Sequence, residues 1–153
     1  MATHSKNFNI MKAIVAAILL ATALITTSAA ETNAVSPSIA KDSRCFEMRT
    51  YYAAQGKLEA LNARFRDHTC ALFKKHGIEI VGFWIPADKD KGSENTLVYL
   101  LAHKNREAAK KSYSDFGSDP AWKKALAESE ANGKLVDKIE SVFMQATDYS
   151  PIK

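Results

Sequence analysis

The stretch from Asn95 to Phe116, NTLVYLLAHKNREAAKKSYSDF, contains a strand that runs directly into a helix, and this pair decides the fold. Residues 97–103 are mostly apolar or aromatic in both alternating sets, which is typical of a strand covered on both faces. Asn105 is a favourable N-cap for a helix that ends near Phe116. That helix places four residues on one side, Ala109, Ser112, Tyr113 and Phe116.

The segments on either side supply the other elements of one domain. Upstream, CFEMRTYY (45–52) predicts a strand, residues 57–76 a helix closed by Gly77, and IEIVGFWIP (78–86) a second strand. Downstream, a cap and proline predict a short helix over 119–133, and residues 134–149 supply the last strand. The order β-α-β-β-α-β with one extra short helix predicts an α+β fold of the ferredoxin-like, split β-α-β type.

Both faces of the predicted sheet carry large apolar or aromatic groups, although helices can cover only one of them. In the first strand, Phe46, Met48 and Tyr52 lie in one alternating set, and Tyr51 lies in the other with Arg49. A second copy of the chain would cover the remaining face. We therefore expect a homodimer in which two sheets close into a dimeric α+β barrel.

The N-terminal thirty residues have the pattern of a secretory signal peptide. A lysine precedes an apolar run from Ala13 to Ile25, and small residues follow up to Ala30, where cleavage is expected. The run is too short for a stable membrane span, which needs about 20 apolar residues. The sequence thus predicts a signal peptide over 1–30, a flexible tether over 31–43, a domain over 44–153, and a periplasmic or secreted protein.

Charge and motifs exclude several function classes. The chain carries a formal charge of +4, and two of those charges, Lys6 and Lys12, lie in the predicted leader. There is no block of like charges of the kind that binds nucleic acid, so no nucleic-acid partner is expected. Cys45 and Cys70 have no metal-ligand spacing, and their predicted orientations oppose a disulfide. Serine-hydrolase, phosphate-loop and zinc-protease motifs are missing from the sequence.

His68 is the unusual residue of the first helix. On an ideal α-helix the apolar stripe contains Leu61, Phe65 and Leu72, and His68 lies inside its edge. An inward histidine is either a buried residue satisfied by one hydrogen bond or a ligand-binding or proton-transfer group. The residues alone leave both interpretations open.

Specific motifs connect the sequence to a known family over almost all of residues 45–153. They are EMRTY (47–51), RFRDHT (64–69), KHGIE (75–79), TLVYLLAH (96–103), DPAW (119–122), SEANG (129–133) and TDYSP (147–151). With these motifs the chain resembles the NIPSNAP family. The resemblance implies the dimeric α+β barrel fold and no particular reaction. Relatives in the wider superfamily include cofactorless monooxygenases and haem enzymes, and eukaryotic members act in mitochondria, whereas this chain resembles an exported bacterial-type member.

Barrels of this kind hold ligands between the sheet and the helices, so the inward groups there are the ligand-binding candidates. They are His68, Tyr99, His103, Tyr113 and Trp122, with Arg49 and Tyr51 as a polar pair if the pocket lies within the dimer barrel. Arg49 with Tyr51 could bind a carboxylate or polarise a carbonyl. The competing interpretations are core aromatics and an Arg49–Glu47 ion pair.

Three functions follow as hypotheses. The chain binds a small molecule in a pocket; it is an interaction module with a filled core; or it is a cofactorless monooxygenase-like enzyme. The catalytic residues, and any cofactor, are not identified by the sequence. His68 or His103 could serve as a haem ligand, but no attachment motif accompanies them.

Overall fold

The computed structural model describes residues 35–153. Four strands form one antiparallel sheet in the order β2-β3-β1-β4, and three helices pack on one of its faces. This is the predicted ferredoxin-like arrangement. The elements are β1 (Cys45–Ala53), α1 (residues 58–75), β2 (Glu79–Trp84), β3 (Thr96–His103), α2 (Arg106–Ser118), α3 (Pro120–Ser129) and β4 (Val136–Gln145).

The main core lies between the sheet and the helices. Tyr99 and Leu101 of β3 and Leu61 of α1 are fully buried there, which fits the two-sided apolar pattern of β3. Asn105 accepts a hydrogen bond from the backbone N–H of Ala108 at 2.8 Å, so it caps α2 as the sequence predicts. The apolar faces of α1 and α2 pack against the sheet through this core.

Helix α1 is interrupted by one wide turn, and this turn changes which residues face the core. Two α-helical segments, Leu58–Arg64 and Cys70–Lys75, flank a π-helical turn at Phe65–Thr69. The N–H of Cys70 donates to the carbonyl of Phe65, five residues back. Large core residues recur every four positions, which on a regular α-helix would drift by about 40° per step. The extra residue of the π turn absorbs this drift.

The altered phase overturns one prediction. Phe73, not Leu72, is the buried residue of the last turn, and His68 is exposed to solvent. The expectation that His68 faces inward is therefore wrong, because it assumed an uninterrupted α-helix.

The face of the sheet opposite the helices is only partly covered. Phe46 and Ala102 are buried together with Ala146, but Met48, Trp84 and Val142 are 37%, 53% and 49% exposed. Large apolar side chains exposed together on one face of a sheet are typical of an interaction surface.

The segment that precedes β1 contacts the end of the chain. Ile39 bridges Thr147, and the N–H of Ala40 donates to the carbonyl of Ala146 at 2.9 Å. Ile39 and Ala40 belong to the predicted flexible tether, but they are hydrogen-bonded to the domain. The predicted signal peptide lies outside the described residues. None of the helices described is long and apolar enough to span a bilayer.

Candidate functional site

A cavity of about 470 Å³ lies between the three helices and the sheet edge formed by β4. Its volume falls within the range of ligand pockets, roughly 300–1,000 Å³. Strand β1 supplies Arg49 and Tyr51, and α1 supplies Arg64 and Phe65. The other lining residues are Thr69, Phe73, Tyr113, Phe116, Trp122, Leu126, Glu130, Lys134, Val136, Asp137, Lys138 and Ile139.

Aromatic rings form a continuous wall along the cavity, with an arginine at each end. The side chain of Arg49 lies over one end of this row and that of Arg64 over the other. The separations are 4.9 Å for Arg49 to Tyr113, 6.2 Å for Tyr113 to Phe73, 5.0 Å for Phe73 to Phe116, 4.5 Å for Phe116 to Trp122, and 5.5 Å for Trp122 to Arg64. We call these six residues the aromatic row.

Arg49 is held by a buried carboxylate. Its Nη1 lies 3.2 Å from Oε1 of Glu47, and that oxygen also accepts a hydrogen bond from the Ser141 hydroxyl at 2.6 Å. The second oxygen, Oε2, lies 3.2 Å from Nε2 of His103. Burial disfavours the charged carboxylate, but these partners together keep the pKa of Glu47 below its usual value. Glu47 is thus an anion with both oxygens engaged.

Arg64 is held in the same way at the other end of the row. Its side chain is only 4% exposed, and its Nη1 lies 3.0 Å from Oε1 of Glu130. Ser129 is at 3.5 Å. The pair joins α1 to the residues that follow α3, so it also fixes the width of the cavity.

Four buried polar atoms have no hydrogen-bond partner within the described part of the chain. They are Nε of Arg49, Nε of Arg64, and the hydroxyls of Tyr99 and Tyr113. Native proteins pair nearly all such groups, so each exception needs an explanation. Arg49, Arg64 and Tyr113 line the cavity, and Tyr99 packs against Tyr51 at 5.3 Å. A molecule in the cavity would explain the three that line it.

Burial and charge determine which of these groups donate. Burial raises the pKa of Tyr99 and of Tyr113, and the Arg49 charge offsets this only in part. Burial also opposes the charge on Arg49, yet the surrounding tyrosines and Glu47 hold its pKa above the ordinary value. At neutral pH both hydroxyls are therefore protonated and the guanidinium is charged.

The structure brings together four of the seven predicted site residues. Arg49, Tyr51, Tyr113 and Trp122 line the cavity. Arg49 and Tyr51 were predicted for a pocket within the dimer barrel, but they lie on the face of β1 that the helices cover. Tyr99 lies beside it in the core. The two histidines do not reach it: His103 pairs with Glu47, and His68 is exposed. The predicted Arg49–Glu47 ion pair is confirmed, but it does not prevent Arg49 from lining the cavity.

Sequence reasoning missed Arg64 and Glu130. The only local signal was an arginine next to Phe65 on the first helix, close to the apolar stripe. Its partner lies 66 residues away in the chain, and no periodicity links them.

The residues described contain no cluster of three side chains that could hold a metal ion. Both cysteines are free thiols. The candidate site is therefore defined by arginines, tyrosines and apolar walls.

Comparisons with known proteins agree with this architecture. The chain is similar to a NIPSNAP family protein of unknown function from Agrobacterium tumefaciens, with 22% identity, 76% of this chain and 99% of that chain covered, and a TM-score of 0.66. A NIPSNAP-like protein from Burkholderia xenovorans is similar at 14% identity, with 72% and 90% covered and a TM-score of 0.62. No curated protein matches the chain. The NIPSNAP family model matches residues 46–151, and the chain therefore belongs to the NIPSNAP family.

Proposed function

We propose that this protein binds a small molecule in the cavity between the sheet and the helices. One observation carries the proposal: three buried polar atoms that have no partner among the described residues belong to side chains that line this cavity. A buried donor left unpaired costs about 1–3 kcal/mol. Three such costs at one cavity are compensated if a bound molecule accepts the hydrogen bonds.

The cavity also favours ligand binding over the interaction module. A module with a filled core would have close packing at this position. Instead, the paired arginines hold apart the two ends of the aromatic row, and the space between remains. Apolar walls with a few fixed polar groups are the usual composition of a small-molecule site.

Native mass spectrometry of the full chain purified from its own source tests this function. We expect part of the protein to carry a bound molecule of one discrete mass. That fraction should be smaller in Trp122→Ala, which removes part of the aromatic row. His68→Ala is the matched control, because His68 is exposed and away from the cavity. A bound mass lost equally in both variants, or no bound mass in any of them, would argue against the proposal.

We further propose that a second copy of the chain covers the open face of the sheet. The exposed apolar residues on that face support this, because they lie on β2, β1 and β4 and so extend across the width of the sheet. The cavity lies on the other side of the sheet, so dimerisation leaves it accessible.

We also propose that the protein is exported and that the signal peptide is cleaved after Ala30. The support is the sequence alone, an apolar run followed by small residues. The intact mass and N-terminal sequence of the protein recovered from the periplasm or the medium would test it. A mature chain that still begins with the leader would contradict it.

A further inference from the structure

The Arg49 end of the cavity contains two donors that are unpaired within the described part of the chain. Nε of Arg49 and the Tyr113 hydroxyl are buried there with no partner in residues 35–153, and Arg49 lies over the Tyr113 ring at 4.9 Å. Both groups are donors at neutral pH, since the guanidinium is charged and the phenol is protonated. The hydrogen bonds they lack must therefore come from an acceptor.

The carboxylate beside these donors is Glu47, but neither Nε of Arg49 nor the Tyr113 hydroxyl lies in hydrogen-bond geometry with it or with any other acceptor among the described residues. The two oxygens of Glu47 already interact with Ser141, Arg49 and His103 at 2.6–3.2 Å. These partners hold Glu47 behind Arg49. The acceptor has to enter with the ligand.

The opposite end of the cavity has a different requirement. Arg64 is paired with Glu130 at 3.0 Å, as Arg49 is with Glu47, and its Nε is the one unpaired side-chain donor found there among the described residues, against two at the Arg49 end. One neutral oxygen would satisfy it. Between the two ends the aromatic row offers only ring faces and edges, which suit a flat apolar body.

We propose that the ligand is a flat, largely apolar carboxylic acid whose carboxylate is bound by Arg49 and Tyr113, with its body along the aromatic row. This inference rests on the proposed function and specifies its ligand class. A carboxylate has two oxygens that accept hydrogen bonds, and arginine binds it through parallel donors. A carboxamide of the same shape has one accepting oxygen instead of two and carries no charge, so it would satisfy these donors less completely and without charge assistance.

The test uses three probes of similar shape: naphthalene-2-carboxylate, naphthalene-2-carboxamide and 2-naphthylmethylamine. The chain has two tryptophans, and only Trp122 lines the cavity, so Trp84→Phe leaves one fluorescent reporter. Binding to the full chain is followed by quenching of that reporter and by calorimetry. We expect the carboxylate to bind about 10- to 100-fold more tightly than the carboxamide, from charge-assisted hydrogen bonds.

Two variants then locate the carboxylate. Tyr113→Phe removes only a hydroxyl that has no partner, so folding is preserved, and we expect it to reduce the preference for the carboxylate severalfold. Arg49→Met should abolish the preference, although it also leaves Glu47 without one partner. Arg66→Met is the matched control, because it removes the same charge from an exposed position of α1 and should keep the preference.

The outcomes separate the two proposals. Equal binding of carboxylate and carboxamide, unchanged in Tyr113→Phe, would overturn the carboxylate proposal and leave small-molecule binding in place. A preference lost equally in Arg66→Met would also overturn it, since net charge would then be the cause. No binding of any probe, together with no retained mass in the native protein, would overturn both.

Discussion

At the scale of single residues, the site depends on buried polar groups that are only half satisfied. Arg49 is fixed through one nitrogen by Glu47 and retains an unpaired Nε. Tyr113 has an unpaired hydroxyl and packs beside it. Such groups reduce stability, because each gave up hydrogen bonds to water on folding. They are the expected signature of a site that is completed by a ligand.

Tyr113→Phe is therefore expected to stabilise the ligand-free protein or leave it unchanged. The variant removes a buried hydroxyl without a partner, so the free energy of unfolding should not fall and could rise by about 1 kcal/mol. Urea denaturation of ligand-free protein measures this. A loss of more than about 1 kcal/mol would mean that the hydroxyl has a partner in solution.

Glu47→Gln is expected to destabilise the protein by about 3 kcal/mol, because it leaves Arg49 as a buried charge without its counter-ion. Lowering the pH should also destabilise the parent protein, because it protonates Glu47. The pKa of Glu47 is lowered in the folded state, so its stabilising contribution is present above its ordinary value of 4.5 and is lost as the pH falls below it. Urea denaturation of both proteins from neutral to acidic pH is the measurement. An acid dependence that is the same in both would contradict this role.

At the scale of elements, the π turn in α1 determines which side chains reach the core. It brings Thr69 and Phe73 to the buried side and leaves His68 in solvent. The Thr69 hydroxyl donates to the carbonyl of Arg64 at 3.2 Å, which satisfies a group in the widened turn. Wide turns of this kind occur frequently at functional sites, and here the turn borders the cavity.

The phase of α1 predicts the order of two alanine substitutions. Phe73→Ala should cost about 3–5 kcal/mol of unfolding free energy, as for a fully buried aromatic residue. Leu72→Ala should cost clearly less, since Leu72 is only partly buried. His68→Ala should stay within about 0.5 kcal/mol of the parent protein. Chemical denaturation of the three variants measures these losses. A larger loss of unfolding free energy for Leu72→Ala than for Phe73→Ala would support an uninterrupted α-helix instead.

Asp119 links the end of α1 to the start of α3. It caps α3 through the N–H of Ala121 at 2.8 Å, and its Oδ2 lies 2.7 Å from both Lys75 Nζ and His76 Nε2. Hydrogen bonds from Lys75 and His76 lower the pKa of Asp119 well below its ordinary value of 3.8. A lowered folded-state pKa means that this contribution is complete above that ordinary value and is lost on further acidification.

Asp119→Asn preserves an oxygen for the cap and removes the charge. We expect a lower denaturation temperature at neutral pH and a smaller loss of stability between neutral pH and about pH 3 than in the parent protein. Thermal denaturation across this pH range provides the measurement. Asp115→Asn is the control, because the ion pair that Asp115 forms in the described part of the chain is with exposed Lys111. Parallel pH curves for parent protein and Asp119→Asn would contradict the link.

At the scale of the whole molecule, the two faces of the sheet have different roles. The helix face carries the core and the cavity, and the opposite face carries exposed Met48, Trp84 and Val142. Both β2 and β4 are edge strands of this sheet. The proposed dimer would bury the second face without covering the cavity.

Val142→Lys places a charge on the face of β4 that belongs to the proposed interface and should convert the dimer into a monomer, because an unpaired charge is costly to bury. Size-exclusion chromatography with light scattering measures the mass. Tyr149→Lys is the matched control, since Tyr149 is 81% exposed and lies beyond β4. Equal masses for parent protein and Val142→Lys would exclude this face as the interface.

The sequence by itself determined the element order, the antiparallel α+β fold and the family, because these depend on local periodicity, caps and motifs. It also identified Arg49, Tyr51, Tyr113 and Trp122 as candidates, although alternation alone did not tell which face of β1 the helices cover and assigned Arg49 and Tyr51 to a pocket within the dimer barrel. Only the tertiary structure decided the rest. Arg64 meets Glu130 across 66 residues, and one extra residue in a helical turn moves His68 into solvent. Long-range pairing and helix phase depend on how the elements pack, and no local pattern encodes that.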